Sequence, residues 1–178
     1  DYAQLKDKRV IYSSSAAIYG TTGLPTNIYG WSKLMAEDYG MKTCDRFVSL
    51  RYFNVYGPGE EHKGKMASVV YQAYKRGDFK LFPGKPRRDF IYVYDVVTAN
   101  LMAANTSKGI YEVGSGEENA FETMLEGFNI PFSYHTKDKI PSWYQYNTKA
   151  DKNRWIPGWK PNYSLHKGLN HYREYLNK

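Results

Sequence analysis

Apolar positions in this chain come in short blocks whose period keeps changing. Arg9-Val-Ile-Tyr12 is a brief apolar run that ends in three serines, which predicts a buried strand with Ser13 to Gly20 as its exit loop. Thr21 to Pro25 is turn material. From about Tyr29 to Cys44 the pattern is helical, with Leu34, Met35, Ala36 and Tyr39 as the expected apolar face. Phe47 to Phe53 reads as the next strand, and Asn54 to Gly64 as a glycine- and proline-bearing loop. A helix over Met66 to Lys75 should stop at Gly77. A short strand at Phe79 to Phe82, a basic loop at Pro83 to Arg88 and a strand at Phe90 to Val93 follow. Asp95 to Ala104 reads as a helix, and Gly109 to Val113 as a strand closed by Gly114-Ser-Gly116. The remainder is less regular: a short helix near Ala120 to Phe128, a strand near Phe132 to His135 and a last helix from about Ser164 to Leu176.

Strands and helices therefore alternate, which predicts an α/β fold with a mainly parallel sheet. Open sheets of that kind place ligands at the carboxyl ends of their strands. That rule puts the serine-rich segment Ser13 to Gly20 on the functional edge.

Bulk composition narrows the classes. The chain has 178 residues, enough for one domain or slightly more, and its 42% hydrophobic and 24% charged content is ordinary for a globular protein. Its formal charge is +7, from basic residues scattered along the chain. That charge fits a solvated basic surface or a groove for an anionic ligand. No finger, helix-turn-helix or RNA-binding signature accompanies it, so no nucleic acid is expected. No apolar run reaches membrane length, so no membrane association is expected. The chain opens Asp1-Tyr-Ala-Gln with no initiator Met or apolar leader, and its start reads as the middle of something, either a fragment or a cut chain. A single cysteine, Cys44, excludes an internal disulfide and fits a reducing, cytoplasmic compartment. The four histidines show no metal-ligand spacing, so no metal is expected.

One spacing carries candidate chemistry. Tyr29 and Lys33 lie one helical turn apart, on one face, just after the serines. A lysine ammonium there favours the phenolate of a tyrosine whose ordinary pKa is about 10, as proton transfer near neutral pH requires. A serine hydroxyl from the strand end can bind the same substrate oxygen. Taken alone the pair is a weak signal, because a helix-face tyrosine and a solvated lysine are both common.

Context strengthens it. Arg51-Tyr-Phe-Asn54-Val-Tyr-Gly57-Pro58 follows at a fixed distance, then Glu61-His-Lys63-Gly64, then Arg88-Asp89-Phe90-Ile-Tyr-Val-Tyr-Asp95-Val96. Together these resemble the extended short-chain dehydrogenase/reductase family, the NAD-dependent nucleotide-sugar epimerases and dehydratases. Glu61-His-Lys-Gly through Met66-Ala-Ser68, with Ser14-Ser-Ala-Ala, Lys80-Leu-Phe82 and Tyr144-Gln145, is similar to its ADP-heptose 6-epimerase branch. The likeness runs over essentially the whole chain and corresponds to the later part of such an enzyme.

The resemblance implies the C-terminal half of a Rossmann-like parallel sheet plus a small substrate-binding α/β lobe. Residues 1–56 and 86–116 would form the first, and residues 57–85 and 117–178 the second. It implies redox epimerisation of a nucleotide-diphosphate sugar with NAD or NADP, and a homo-oligomer. Tyr29 and Lys63 would be proton-transfer groups on opposite faces, with Ser15 as hydrogen-bond partner. Lys33, Val55 and Lys63 would contact the cofactor. Asn54, Lys65, Gln72, Phe82, Pro83, Gly84, Lys85, Arg88 and Tyr144 would contact the substrate. Asp89 and Asp95 more simply orient structure. Lys65 stands where the pattern has a small hydroxyl residue, and Gln72 where it has a histidine. The family's Gly-x-x-Gly-x-x-Gly loop does not precede Asp1, so the chain is expected not to bind a dinucleotide tightly, and to be inactive, by itself. Alternatives are a dehydratase or reductase on the same scaffold, and a binding module; Ala16 and Ala17 after Ser15 disfavour a dehydratase, which adds an acidic pair there.

Overall fold

Three parallel strands lie side by side in a computed structural model that describes residues 8–141 and 144–178. They are β1 (Val10–Ser15), β2 (Phe47–Tyr52) and β7 (Gly109–Val113), with β2 in the centre. Between them in sequence come α1 (Ile28–Thr43), β3 (Asn54–Tyr56), α2 (Val69–Arg76), β4 (Phe79–Leu81), β5 (Arg87–Arg88), β6 (Phe90–Tyr92) and α3 (Val93–Ala103). After β7 come β8 (Asn119–Ala120), α4 (Phe121–Gly127), β9 (Phe132–Tyr134) and α5 (Leu165–Leu176). The expected single parallel sheet is thus a three-stranded sheet with three two-stranded pairs. Of these, β3/β6 and β4/β9 are parallel and β5/β8 is antiparallel.

Several boundaries differ from expectation for local reasons. Ser13 to Ser15 continue β1 and pair with Leu50 to Tyr52, so the exit loop starts three residues later. Asn54 to Tyr56 form β3, because they find a parallel partner in β6. Met66 belongs to a 3-10 stretch, and α2 begins only after Ser68, whose hydroxyl accepts the Tyr71 amide at 3.2 Å. Gly77, in the left-handed region at φ 74°, ends that helix as expected.

β2 is buried on both faces. Strand alternation sends Val48 and Leu50 to one side, where Val96, Ala99 and Ala103 of α3 complete a core with Ile91, Val113 and Ile156. Ser49 and Arg51 point to the other side, toward α1. A second core joins α2, α4 and α5 and holds Tyr56, Phe90, Tyr92, Met124, Leu125 and Tyr172. Segments from both expected units share it through Tyr56, Phe90 and Tyr92.

α1 packs by an unexpected face. Its buried residues are Gly30, Glu37 and Gly40, whereas Met35 and Tyr39 are exposed and Leu34 is only half-buried. Gly40 lies flat on the Phe47 ring: a Cβ there would sit 2.1 Å from Cε2. Glu37 reaches the sheet because Arg51 and Ser49 wait there to bind it. No helix among the described residues is long and apolar enough to cross a membrane.

Two buried aspartates tie loops to this frame. Asp89 accepts from the Ser115 amide (2.6 Å) and hydroxyl (2.8 Å) and from the Gly116 (2.9 Å) and Ala150 (3.0 Å) amides. Asp95 accepts from the Asn162 and Tyr163 amides at 2.9 and 3.0 Å. Burial raises the pKa of both carboxyls, and these hydrogen bonds oppose it.

Burial also pushes the phenols of Tyr56, Tyr92 and Tyr172 well above the ordinary tyrosine value of 10.0. A phenol raised in the folded state favours folding fully below the unfolded value, and that contribution is lost as pH climbs through the folded value. The thermal midpoint, followed by circular dichroism, is therefore expected to fall as pH rises above 10, and the double variant Tyr56→Phe/Tyr92→Phe to fall less steeply.

Candidate active site

Ser15 closes β1 and caps a 3-10 turn, Ala16–Tyr19; its Oγ accepts the Ala17 amide at 3.1 Å. Asn27 caps α1 by accepting the Gly30 amide at 2.8 Å, which puts Tyr29 in the first helical turn. The two pieces press together at Gly30, where an added Cβ would lie 2.7 Å from the Ala17 carbonyl oxygen. Lys33, one turn on, donates to the Ser13 carbonyl at 2.8 Å. Its Nζ lies 5.2 Å from the Tyr12 ring centre and 5.7 Å from that of Tyr29. Tyr29, Lys33 and the serine edge of β1 are therefore brought together, with the Tyr29 ring half open to solvent. An ammonium has three donors. Lys33 spends one on Ser13 and has no carboxylate partner among the described residues.

Beside this edge is a cavity of about 190 Å³ walled by Ser15, Ala16, Ala17, Tyr52, Gln145 and Thr148. A larger one, about 340 Å³, is walled mainly by apolar groups, among them Val69, Phe79, Phe82, Phe121 and Tyr144. Asn54 and Arg88 line both, so the two cavities meet at an amide and a guanidinium.

Arg88 is buried without a counter-ion. Its Nη1 donates to the Arg87 and Tyr146 carbonyls, both at 2.9 Å. Its guanidinium stacks on the rings of Tyr144 (5.1 Å) and Phe121 (5.5 Å). No carboxylate pairs with it among the described residues. Burial lowers its pKa, with Tyr144 opposing. A desolvated cation with no carboxylate partner among the described residues has the chemistry to bind an anion.

The same strand end holds a saturated polar network. Glu37 accepts from Ser49 Oγ at 2.6 Å and from Arg51 Nε at 3.1 Å, and Arg51 Nη2 closes a second arm. Arg51 Nη1 donates to the Tyr19 hydroxyl at 2.8 Å, and that hydroxyl donates to Glu112 at 2.5 Å. Burial lowers the Arg51 pKa, but hydrogen bonds with Glu37 and Tyr19 outweigh it and hold the guanidinium above its ordinary value. Burial and the bond to Glu112 push the Tyr19 phenol up to about 12, so it stays a donor.

Other expected residues lie elsewhere. Lys63 sits on the exposed 3-10 stretch Glu61–Met66 and lines neither cavity. Lys65 and Gln72 line a separate groove with Lys75 and Arg76, and the Gln72 amide donates to the Lys65 (3.2 Å) and Ala67 (2.7 Å) carbonyls. Pro83, Gly84 and Lys85 form the turn after β4, where the Tyr146 hydroxyl donates to the Pro83 carbonyl at 3.3 Å. Val55 is partly buried against the α3 core. Tyr52, Thr148, Phe79 and Phe121 were missed as cavity residues. Tyr52 and Phe79 lie within or beside the segments of Asn54 and Phe82, whereas Thr148 and Phe121 reach the site from distant segments with no motif to flag them. Gln145 was noticed only as part of the Tyr144-Gln145 pair.

The model of the NAD dependent epimerase/dehydratase family matches residues 1–114. This chain belongs to that family. It is 38% identical over 184 residues to ADP-L-glycero-D-manno-heptose-6-epimerase of Alkalilimnicola ehrlichii, covering 82% of the chain and 56% of that relative. The structure of ADP-L-glycero-D-manno-heptose-6-epimerase of Helicobacter pylori superposes with a TM-score of 0.83 at 30% identity, over 95% of this chain and 60% of that one. UDP-glucose 4-epimerase of Thermotoga maritima, solved with UDP-glucose, superposes at 0.76 and 28% identity, over 96% of this chain and 63% of that one. The Rossmann-like α/β architecture is common to all of them. The chain spans little more than half the length of the heptose epimerases it matches.

The close approach at Gly30 yields a direct test. Gly30→Ala forces the first turn of α1 off the Ala17 carbonyl and is expected to destabilise by about 1–3 kcal/mol, as overpacking does. Urea unfolding of both forms measures it.

Proposed function

We propose that this chain carries the catalytic edge and substrate lobe of a nucleotide-sugar epimerase that works by transient oxidation and re-reduction with NAD or NADP. The substrate is an ADP-heptose-like nucleotide sugar. The observation that carries this reading is the buried Arg88, with no carboxylate partner among the described residues, where an apolar, aromatic-walled cavity meets a small polar one. That layout suits a diphosphate held at Arg88 and Asn54, a base against Phe82 and Tyr144, and a sugar toward Ser15. The relatives support the substrate class.

The residues present also suit a dinucleotide. Lys33 keeps free donors for ribose hydroxyls at the serine edge of β1. A bound nicotinamide supplies the site that accepts hydride from the inverting carbon and gives it back. Tyr29 takes the proton of the substrate hydroxyl as oxidation proceeds and returns it on re-reduction. Ser15 orients the reacting oxygen. Lys63 is the proposed proton-transfer group for the opposite face; from its exposed turn it reaches the sugar only if the loop closes over bound substrate. Tyr29→Phe and Lys63→Met measure these two roles. Ala16 and Ala17 wall the sugar cavity where a dehydratase needs an acidic pair, which favours epimerisation over dehydration.

Calorimetry and turnover test the reading. The full-length gene product should bind NAD or NADP and epimerise ADP-heptose, and Tyr29→Phe should lower turnover by about a hundredfold or more. Wild-type rates in both Tyr29→Phe and Lys63→Met, or binding of neither dinucleotide, overturn it in favour of a binding module. Separately, Arg88→Gln is expected to weaken ADP binding by about ten- to a hundredfold, since charge-assisted hydrogen bonds contribute about 1.5–3 kcal/mol.

A further inference from the structure

The geometry points to Tyr19 as a positioning residue that sets the height of the Ser15 turn against the first turn of α1. This rests on the reading of Ser15 and Tyr29 as the reacting pair. Tyr19 ends the 3-10 turn that Ser15 begins. Its hydroxyl uses everything a hydroxyl has. It donates to Glu112 at 2.5 Å and accepts from Arg51 Nη1 at 2.8 Å and Arg154 Nη1 at 3.3 Å. The ring lies under the Arg51 guanidinium, 5.0 Å from centroid to Cζ, and packs beside Phe53 at 6.5 Å.

Each partner belongs to a different piece. Arg51 is on β2 and is held by Glu37 of α1; Glu112 is on β7; Arg154 lies on the 3-10 turn Lys152–Arg154. The Tyr19 hydroxyl is thus the point where the helix bearing Tyr29, two strands and the serine turn meet. The far end of that turn is fixed by the same device, since the Tyr19 carbonyl accepts the Gly23 amide at 2.9 Å and the Gly20 carbonyl accepts from Gln145, a cavity residue. Between them the Ala17 carbonyl presses on Gly30, next to Tyr29. A slip of the turn by a few tenths of an ångström changes the separation of Ser15 from Tyr29. The Arg88 guanidinium donates to the Arg87 and Tyr146 carbonyls and not to the turn.

Tyr19→Phe removes only the oxygen, so packing on Phe53 survives. Turnover of ADP-heptose by the full-length protein is expected to fall about tenfold or more, with KM changed less than twofold. Equal changes in kcat and KM, or an unchanged kcat, overturn the proposal. Arg154→Gln, at a half-exposed partner that also pairs with Glu112 at 3.2 Å, is expected to shift kcat in the same direction by a smaller factor. An independent arm needs no turnover. In protein labelled at tyrosine 13Cζ, with signals assigned by Tyr29→Phe and Tyr39→Phe, the Tyr29 signal should move in Tyr19→Phe while that of Tyr39, further along α1, stays. An unmoved Tyr29 signal overturns the positioning role even if the wild-type protein is active. A moved signal in a protein that turns nothing over keeps the positioning role and defeats the epimerase reading instead.

Discussion

Much of the structure around the candidate site depends on one buried ion pair, Glu37 with Arg51. Both side chains are almost fully shielded from water. Removing two charges from water is unfavourable by several kcal/mol each, and attraction recovers that only when the remaining donors and lone pairs are also filled. Here they are. Ser49 fills one position on Glu37, and Tyr19 takes the free end of Arg51. The pair therefore imposes a rule on its neighbours: α1 must sit so that Glu37 points at the sheet, and the serine turn must sit so that Tyr19 meets Arg51. Losing one partner of such a pair destabilises by about 3–5 kcal/mol, because the other is left charged and buried.

That rule explains the unusual face of α1. A helix that docks through a carboxylate needs little apolar area on the docking side, and needs small residues so that the carboxylate can reach. Gly30 and Gly40 supply the clearance. The apolar side chains Ile28, Trp31 and Met35 are left on the outward face. Hydrophobic periodicity reads a helix's apolar stripe as its buried side, so it identified the helix and chose the wrong face. Strand positions were legible for the opposite reason. Val48 and Leu50 are buried between sheet and α3, and a buried strand shows as an apolar run. The pairing of β3 with β6 was not legible, since three residues carry too little pattern to separate a strand from a loop.

The site divides in the same way. Tyr29, Lys33 and Ser15 were readable because one helical turn and one strand end set their relation locally. Arg88, Asn54, Phe82 and Tyr144 were readable through the family resemblance and do line the cavities. Lys65 and Gln72 were carried over from the same resemblance but line another groove. Gln72 in particular spends its amide on the Lys65 and Ala67 carbonyls, bracing the turn to α2. Thr148 had no local signal. It arrives on a segment held to β5 and the residue after it from a distance in sequence: the Thr148 amide donates to the Arg87 carbonyl at 3.2 Å, and two residues on, the Ala150 amide donates to Asp89 at 3.0 Å.

Two arginines of this chain, alike in type and both buried, show how environment separates a structural charge from a binding one. Arg51 has a carboxylate on two of its nitrogens and a phenol on the third, so its charge is already neutralised within the fold. Arg88 has carbonyls on one nitrogen and aromatic faces above it, and no carboxylate. Carbonyls and rings stabilise a guanidinium without neutralising it. Burial accordingly drags the Arg88 pKa down while the Arg51 network lifts that of Arg51. A protein tolerates an un-neutralised buried cation where a ligand completes it. The cavities on either side of Arg88 match the proposed ligand in layout, with aromatic walls at one end and a small polar space at the other.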